Sequence, residues 1–335
     1  MNITEIKKAL KSKKKPELEE IILTLYKNIP PKKIAESGID QIFVLSQVLP
    51  KVAIDNTIQT EKKLINEINT FFSHFIAGHY GIPNRIIPKA KRSKWRFVVM
   101  GFYKEMASIF PEASLKKELA MAFGQLYDAM TEGCNHYLTS SQECFTSIQK
   151  TQITFYAQVV NYKMQVLSGE ELYKQLIEHI IDSGMSYDTD SLDLFEVIAS
   201  SFPSPMAMED IIKINKIYCD QAYDKYMELR KKNKYTSFSD VEKLVEGTAL
   251  LLLKLQENDA AKSVFYHYDK MYSDKEMMYY LMVRIFNRYC NHPEKEILNI
   301  LNKAKEEKVV LRDKLAILHA NLTSNPSFNI SNQYF

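Results

Sequence analysis

Apolar residues in this chain recur every three or four positions and almost never alternate, a spacing that predicts helices nearly throughout. Leu18, Ile21, Ile22, Leu25 and Tyr26 form one stripe. Leu64, Ile65, Ile68, Phe71, Phe72 and Phe75 form a second, and Trp95, Val98, Val99, Phe102, Met106 and Ile109 a third. Punctuation divides the stripes into elements. A short helix over 3–10 precedes one opened by Pro16, with Glu17, Glu19 and Glu20 in its first turn, where carboxylates suit the helix dipole. One or two helices follow over 32–49, stopped by Pro50. A long helix over 60–77 is ended by Gly78. Ser93 is expected to cap the next helix, which Pro111 ends. Ser114 opens a helix to about Tyr137, and Ser141 one over 142–167. A helix over 169–182 is closed by Gly184, and Asp190 or Ser191 caps a short one to Phe202. Beyond Pro203-Ser204-Pro205, helices are expected over 209–232, 239–256, 259–272, 274–291, 293–305 and 312–322.

No stretch sustains strand alternation. The expected class is all-α, an elongated, α-solenoid-like array of antiparallel helix pairs with no sheet. Its segments are a basic αα-hairpin over 1–28, a helical body over 29–185 carrying a basic linker at 83–96, a helical-pair array over 206–322, and a polar tail over 323–335 expected to fray. In the array, Leu251 to Leu255 end one helix, and Ala260, Ala261, Val264 and Phe265 stripe its successor. Leu281 to Phe286, then Ile297, Leu298 and Leu301, do the same some thirty-odd residues later. The period and phrasing resemble tetratricopeptide-type repeats, although most of their small-residue and aromatic positions are missing. That resemblance implies pairs that must stack to bury their apolar faces.

Composition agrees with helices: the chain of 335 residues has only 9 glycines, none spaced to cradle a phosphate. Charge adds a polarity that the net +3 conceals. Residues 1–104 hold 19 Lys/Arg against 9 Asp/Glu, and the remainder 25 against 32. Between Ile68 and Lys104 there is no carboxylate at all. Within that gap lie Arg85, Lys89, Lys91, Arg92, Lys94 and Arg96, together with the only tryptophan, Trp95. Cations at the start of a helix oppose its dipole, at about 0.3–1 kcal/mol each. Such a cluster either pairs with carboxylates from the acidic half or meets an external anion, such as nucleic acid or an acidic peptide. Trp95 reads either as a core anchor beginning the apolar stripe or as a stacking surface for a base. Lys11, Lys13, Lys14 and Lys15 form a secondary basic patch.

Signals of other chemistry are weak. The seven histidines include no metal-binding spacing, and His74 and His79, five apart, do not share a helical face. Asp188 to Asp193 resembles the start of a calcium loop but lacks its turn glycine and its closing glutamate, so a helix cap explains it better. No nucleophile, paired-carboxylate or phosphate-loop motif is present; an enzyme would need a set assembled from distant helices. No cofactor is expected. Cys134, Cys144, Cys219 and Cys290 show no paired metal spacing, which predicts free thiols and a reducing, cytoplasmic setting. The polar, lysine-rich start reads as no signal peptide, and the longest apolar run, Ala249 to Leu253, is too short to span a bilayer, so no membrane partner is expected.

The pattern Ile3-x-x-Ile6-Lys7-Lys8-x-Leu10, followed by Glu17-Leu18-x-x-Ile21-Ile22-x-x-Leu25-Tyr26-Lys27, resembles the opening of a bacterial all-helical domain-of-unknown-function family. The block from Pro83-Asn84-Arg85 to Lys94-Trp95-Arg96-Phe97 is similar to bacterial sequences without assigned function. The resemblance implies a bacterial cytosolic origin and supplies no activity, cofactor or site residue. The expected function is a non-enzymatic helical interaction module with a protein partner. The alternatives are nucleic-acid binding through the 85–96 linker and an enzyme with a composite site between helices.

Overall fold

The computed structural model describes residues 13–29, 49–81, 93–136, 138–139, 143–232, 237–325 and 328–330. Among them are fourteen α-helices and no strand, so the all-α class stands. The chain divides into two compact units, Met1–Thr60 and Glu61–Phe335.

The first unit contains α1 (Lys15–Lys27) and the start of α2 (Leu49–Ile76). Pro16 opens α1, and Glu17 accepts the Lys14 backbone N–H at 2.8 Å, closing the first turn. The helices expected over 3–10 and 32–48 lie outside the described residues; Pro50 itself lies in the first turn of α2, where a missing N–H costs nothing and the fixed φ suits the helix.

In the second unit α2 runs to Ile76, and Gly78 follows in the turn. Its φ of +75° lets it end the helix. The Gly78 N–H bonds to Phe75 O at 2.9 Å and the His79 N–H to His74 O at 3.1 Å, the paired pattern of a left-handed cap. This turn overrides the spacing argument for His74 and His79. The chain reverses after the helix and brings their rings to 4.7 Å between centroids. It also stacks Tyr80 on Phe71 at 5.3 Å.

Then come α3 (Trp95–Ile109), a 3-10 turn (Phe110–Glu112) and α4 (Lys116–Asn135). The Ser93 hydroxyl does accept the Trp95 N–H, at 3.3 Å, before α3. Ser114, by contrast, makes no side-chain cap for α4. The fully buried Glu61 of α2 accepts the Ser114 N–H at 3.0 and 3.1 Å and the Leu115 N–H at 2.7 Å. A carboxylate thus comes from more than fifty residues away to meet the positive end of α4.

The single helix expected over 142–167 is two, α5 (Cys144–Ser147) and α6 (Gln152–Met164). Between them Gln149 takes φ 57°, and Thr151 and Thr154 bond reciprocally in a capping box that restarts the helix. The remaining helices are α7 (Gly169–Ile181), α8 (Ser191–Ser201), α9 (Pro205–Lys231), α10 (Ser239–Lys254), α11 (Asn258–His267), α12 (Lys275–Tyr289), α13 (Pro293–Glu306) and α14 (Asp313–Ser324). Asp190 caps α8 through a capping box with Asp193. Pro205 starts α9 four residues earlier than expected.

Packing follows an alternating rule. The even-numbered helices α4, α6, α8, α10 and α12 each pack on the next in one row. Helices α7 and α9 pack on each other, and α7 also touches α6, α8 and α10, with α9 against α10. At the end, α11 packs on α10, α13 on α12 and α14 on α13. Close approach within the row needs small residues: a Cβ on Gly247 of α10 would lie 2.3 Å from the Phe195 ring of α8. The core is aromatic where α3, α4 and α6 meet. Phe123 stacks on Phe155 at 4.9 Å, and Tyr103 meets Phe155 edge-on at 5.2 Å.

Candidate docking face on α3

The inward side of α3 is set by Trp95, Val99, Phe102 and Met106, all buried at helical spacing. Trp95 is only 4% exposed and meets Phe75 edge-on at 5.8 Å. It is a core anchor, and its ring is not available to stack on a base. Val98, read in the sequence as part of the same stripe, is 40% exposed, and Phe97 beside it is 60% exposed. These two fall out of phase with the buried positions, which is the signal that could have found them. The Arg96 guanidinium lies over the Phe97 ring, 5.2 Å from its centroid.

A third side of α3 forms one wall of a hollow of about 440 Å³. Met100, Tyr103, Lys104 and Ala107 line it from the helix, and Ile148, Gln149 and Lys150 from the turn between α5 and α6. Lys150 Nζ stands 4.5 Å from the Tyr103 ring centroid. Burial pushes the Tyr103 phenol above its ordinary range, so it stays neutral and offers a hydroxyl. Gln149, held at positive φ, is the kind of backbone departure that costs of order 1 kcal/mol or more and collects at working sites.

Four cations gather on this face. Among the described residues, Lys94, Arg96, Lys104 and Lys150 have no carboxylate within ion-pair distance. Several cations elsewhere in the unit are paired. Lys117 meets Glu171, Lys262 meets Asp259 and Glu296, Arg284 meets Glu246 at 2.7 Å, and Arg312 meets Asp274 and Glu276. Arg288 gathers Asp190, Asp193 and Glu196. The acidic second half places no described carboxylate within ion-pair distance of Lys94 or Arg96.

Of the cations singled out in the sequence, Arg85, Lys89, Lys91, Arg92 and Lys11 lie outside the described residues, as does the side chain of Lys15. Lys13 pairs with Glu17 at 3.7 Å across one helical turn, an exposed contact worth a few tenths of a kcal/mol. The face thus takes Lys94 and Arg96 from the expected cluster and adds Phe97, Val98, Tyr103, Lys104 and Lys150.

A polar knot between α4, α6 and α7 is the nearest thing to a composite catalytic set. His179 Nδ1 and Asp128 Oδ1 are 2.6 Å apart. His179 Nε2 is buried without a hydrogen-bond partner, facing Gly124 and the Lys163 side chain. Burial lowers the Lys163 amine to about 8, and its Nζ donates to Gln175 at 2.7 Å. Gln152 ties the knot further, donating to Tyr127 OH and to Gly184 O while accepting the Ser186 N–H. Each of these contacts joins two helices or α6 and the loop after α7, so the knot locks packing, and the unpartnered nitrogen faces Gly124 and the Lys163 side chain. Among the described residues no three His, Cys, Asp or Glu side chains are grouped to hold a metal, and no helix is long and apolar enough to cross a membrane.

No family model, curated protein or solved structure matches this chain.

Proposed function

We propose that this protein is a non-enzymatic interaction module, a helical adaptor or scaffold, that docks an acidic, amphipathic segment of a protein partner on the α3 face. The observation that carries the reading is the coincidence of unpaired cations with exposed apolar surface. Lys94, Arg96, Lys104 and Lys150 stand free of carboxylates around Phe97, Val98 and the hollow. Apolar side chains of a partner would fill the hollow and cover Phe97, each buried large side chain contributing about 1.5–3 kcal/mol. Carboxylates spaced along the partner would meet the four cations and set its register. A cytoplasmic setting belongs to the same proposal.

The test is a titration of the full chain with a fluorescent peptide of alternating glutamate and leucine turns, at low and moderate salt. Single-stranded RNA and DNA are titrated in parallel. The wild type is expected to bind the peptide, more weakly as salt rises, and Arg96→Glu with Lys104→Glu to lose at least tenfold in affinity while keeping its helical circular dichroism. Equal binding by the folded double variant overturns the reading. Tighter binding of RNA or DNA than of the peptide, with a steep salt dependence, favours the nucleic-acid alternative.

A further inference from the structure

The turn that closes α2 carries two histidines side by side. The His79 N–H bonds to His74 O at 3.1 Å, the longer of the two bonds of the left-handed cap at Gly78. That bond sets the side chains at its two ends against each other, and an apolar contact is usual there. Here both are imidazoles on exposed residues, with ring centres 4.7 Å apart and planes tilted by 39°. Among the described residues neither ring has a hydrogen bond or an ion pair. Four other histidines are engaged: His136 with Glu132, His179 with Asp128, His267 with Asp220 and His319 with Asn302. The backbone beneath the pair is held in place. Tyr80 stacks on Phe71 at 5.3 Å and stands 6.0 Å from Phe75, whose side chain is fully buried.

We propose that His74 and His79 chelate one divalent transition-metal ion, nickel(II) or copper(II), which takes water in its remaining positions. The spacing of the rings carries this. An imidazole ligates through a nitrogen about 2.0–2.1 Å from the ion, and that nitrogen is about 1.1 Å from the ring centre. Two imidazoles on neighbouring positions of one ion then have centres about 4.5 Å apart at a right angle and about 5.2 Å apart at the tetrahedral angle. The observed 4.7 Å is nearer the right angle, which suits the tetragonal and octahedral preferences of copper(II) and nickel(II). Each exposed ring turns about its terminal torsion, whose preferences are broad, and so aims a nitrogen at the shared point. Because the cap has already brought the two side chains together, little ordering remains to oppose binding. A neutral pair of nitrogen donors selects against calcium and magnesium, which take oxygen. With two protein ligands the site is open and its ion exchangeable, unlike a closed structural centre. The bound ion ties the last turn of α2 to the chain leaving it and holds the turn at Gly78 shut. The site is independent of the docking function on α3.

The test titrates the full chain, without an affinity tag, with nickel(II) chloride by calorimetry. Nickel(II) is the probe because copper(II) oxidises thiols and the cysteines are free. One ion per chain is expected. His74→Ala and His79→Ala are each expected to weaken binding about tenfold or more, since either removes the chelate. Both are expected to keep their helical circular dichroism, because the side chains are exposed. A loss below about threefold in either variant overturns the pair. So does loss of the site in His136→Ala or His267→Ala instead. Magnesium in about a hundredfold excess is expected to leave the titration unchanged, and displacement of nickel(II) by it overturns ligation by imidazole. Hydrogen exchange reads the turn itself. The Ala77, Gly78, His79 and Gly81 amides all bond within it, and nickel(II) is expected to slow their exchange about fivefold in the wild type. No slowing is expected when both histidines are replaced by alanine. Unchanged exchange in a wild-type chain that has bound the ion overturns the clamp on the turn.

Discussion

Replacing Glu61 isolates a contact that no local pattern supplies. Its carboxylate accepts the Ser114 and Leu115 N–H groups at 2.7–3.1 Å from a position with no solvent exposure. Hydrogen bonds to a charged acceptor contribute roughly 1.5–3 kcal/mol each, and a buried donor left unmade costs roughly 1–3 kcal/mol. The favourable alignment with the α4 dipole adds about 0.3–1 kcal/mol. Glu61→Ala removes the acceptor for two donors and leaves a void at the start of α4, so a loss of about 3–4 kcal/mol is expected. Glu61→Gln keeps one acceptor oxygen but turns an NH2 group toward a backbone N–H, and about 2 kcal/mol is expected. Urea unfolding followed by circular dichroism measures both. Because a helical array can open in pieces, residue-resolved hydrogen exchange is the sharper assay. The Ser114 and Leu115 amides are expected to exchange fast in Glu61→Ala, while those in the middle of α10 keep most of their protection. The reasoning is refuted if those two amides remain as protected as in wild type, or if Glu61→Ala costs less than about 0.5 kcal/mol, well under the value of one such bond.

Three other outcomes follow from the packing and the charges. Burial pushes the Glu246 carboxyl from 4.5 up to about 7, with Arg284 beside it acting in the opposite sense. Since the folded-state value is the higher one, the contribution is fully present below 4.5 and lost as pH rises through about 7. At about 1.4 kcal/mol per pH unit it amounts to roughly 3 kcal/mol, so Glu246→Gln should flatten the stability profile between these pH values, and a profile with the wild-type slope contradicts the assignment. Gly247→Ala forces a Cβ to 2.3 Å from the Phe195 ring and is expected to cost about 1–3 kcal/mol in thermal unfolding. Trp95→Phe shrinks a buried anchor and is expected to destabilise by about 1–2 kcal/mol. Since Trp95 is the only tryptophan, native fluorescence should be blue-shifted and unquenched by added single-stranded RNA; quenching would place the indole in a binding surface after all.

Periodicity alone was enough for the class and for most helices, because a helix in a packed array shows its burial every three or four residues. The charge gap from Ile68 to Lys104 also pointed to the neighbourhood of α3. Local chemistry settled Asp190 as the cap of α8, since its partner Asp193 is only three residues away. What depended on distant residues could not be seen. The apolar run over 142–167 reads as continuous, yet Gln149 reverses the backbone there and Lys150 swings onto Tyr103 of α3. His74 and His79 look separated along a helix and are brought together by the turn at Gly78. The cap on α4 comes from Glu61. Which cations are neutralised is likewise a tertiary matter. Composition counts Arg288 and Arg96 alike, but only the fold sets three carboxylates around the first and leaves the second over Phe97 in solvent. Helix formation is a property of neighbours within a few residues, whereas pairing, capping and exposure are decided by where the packed helices place groups dozens of positions apart.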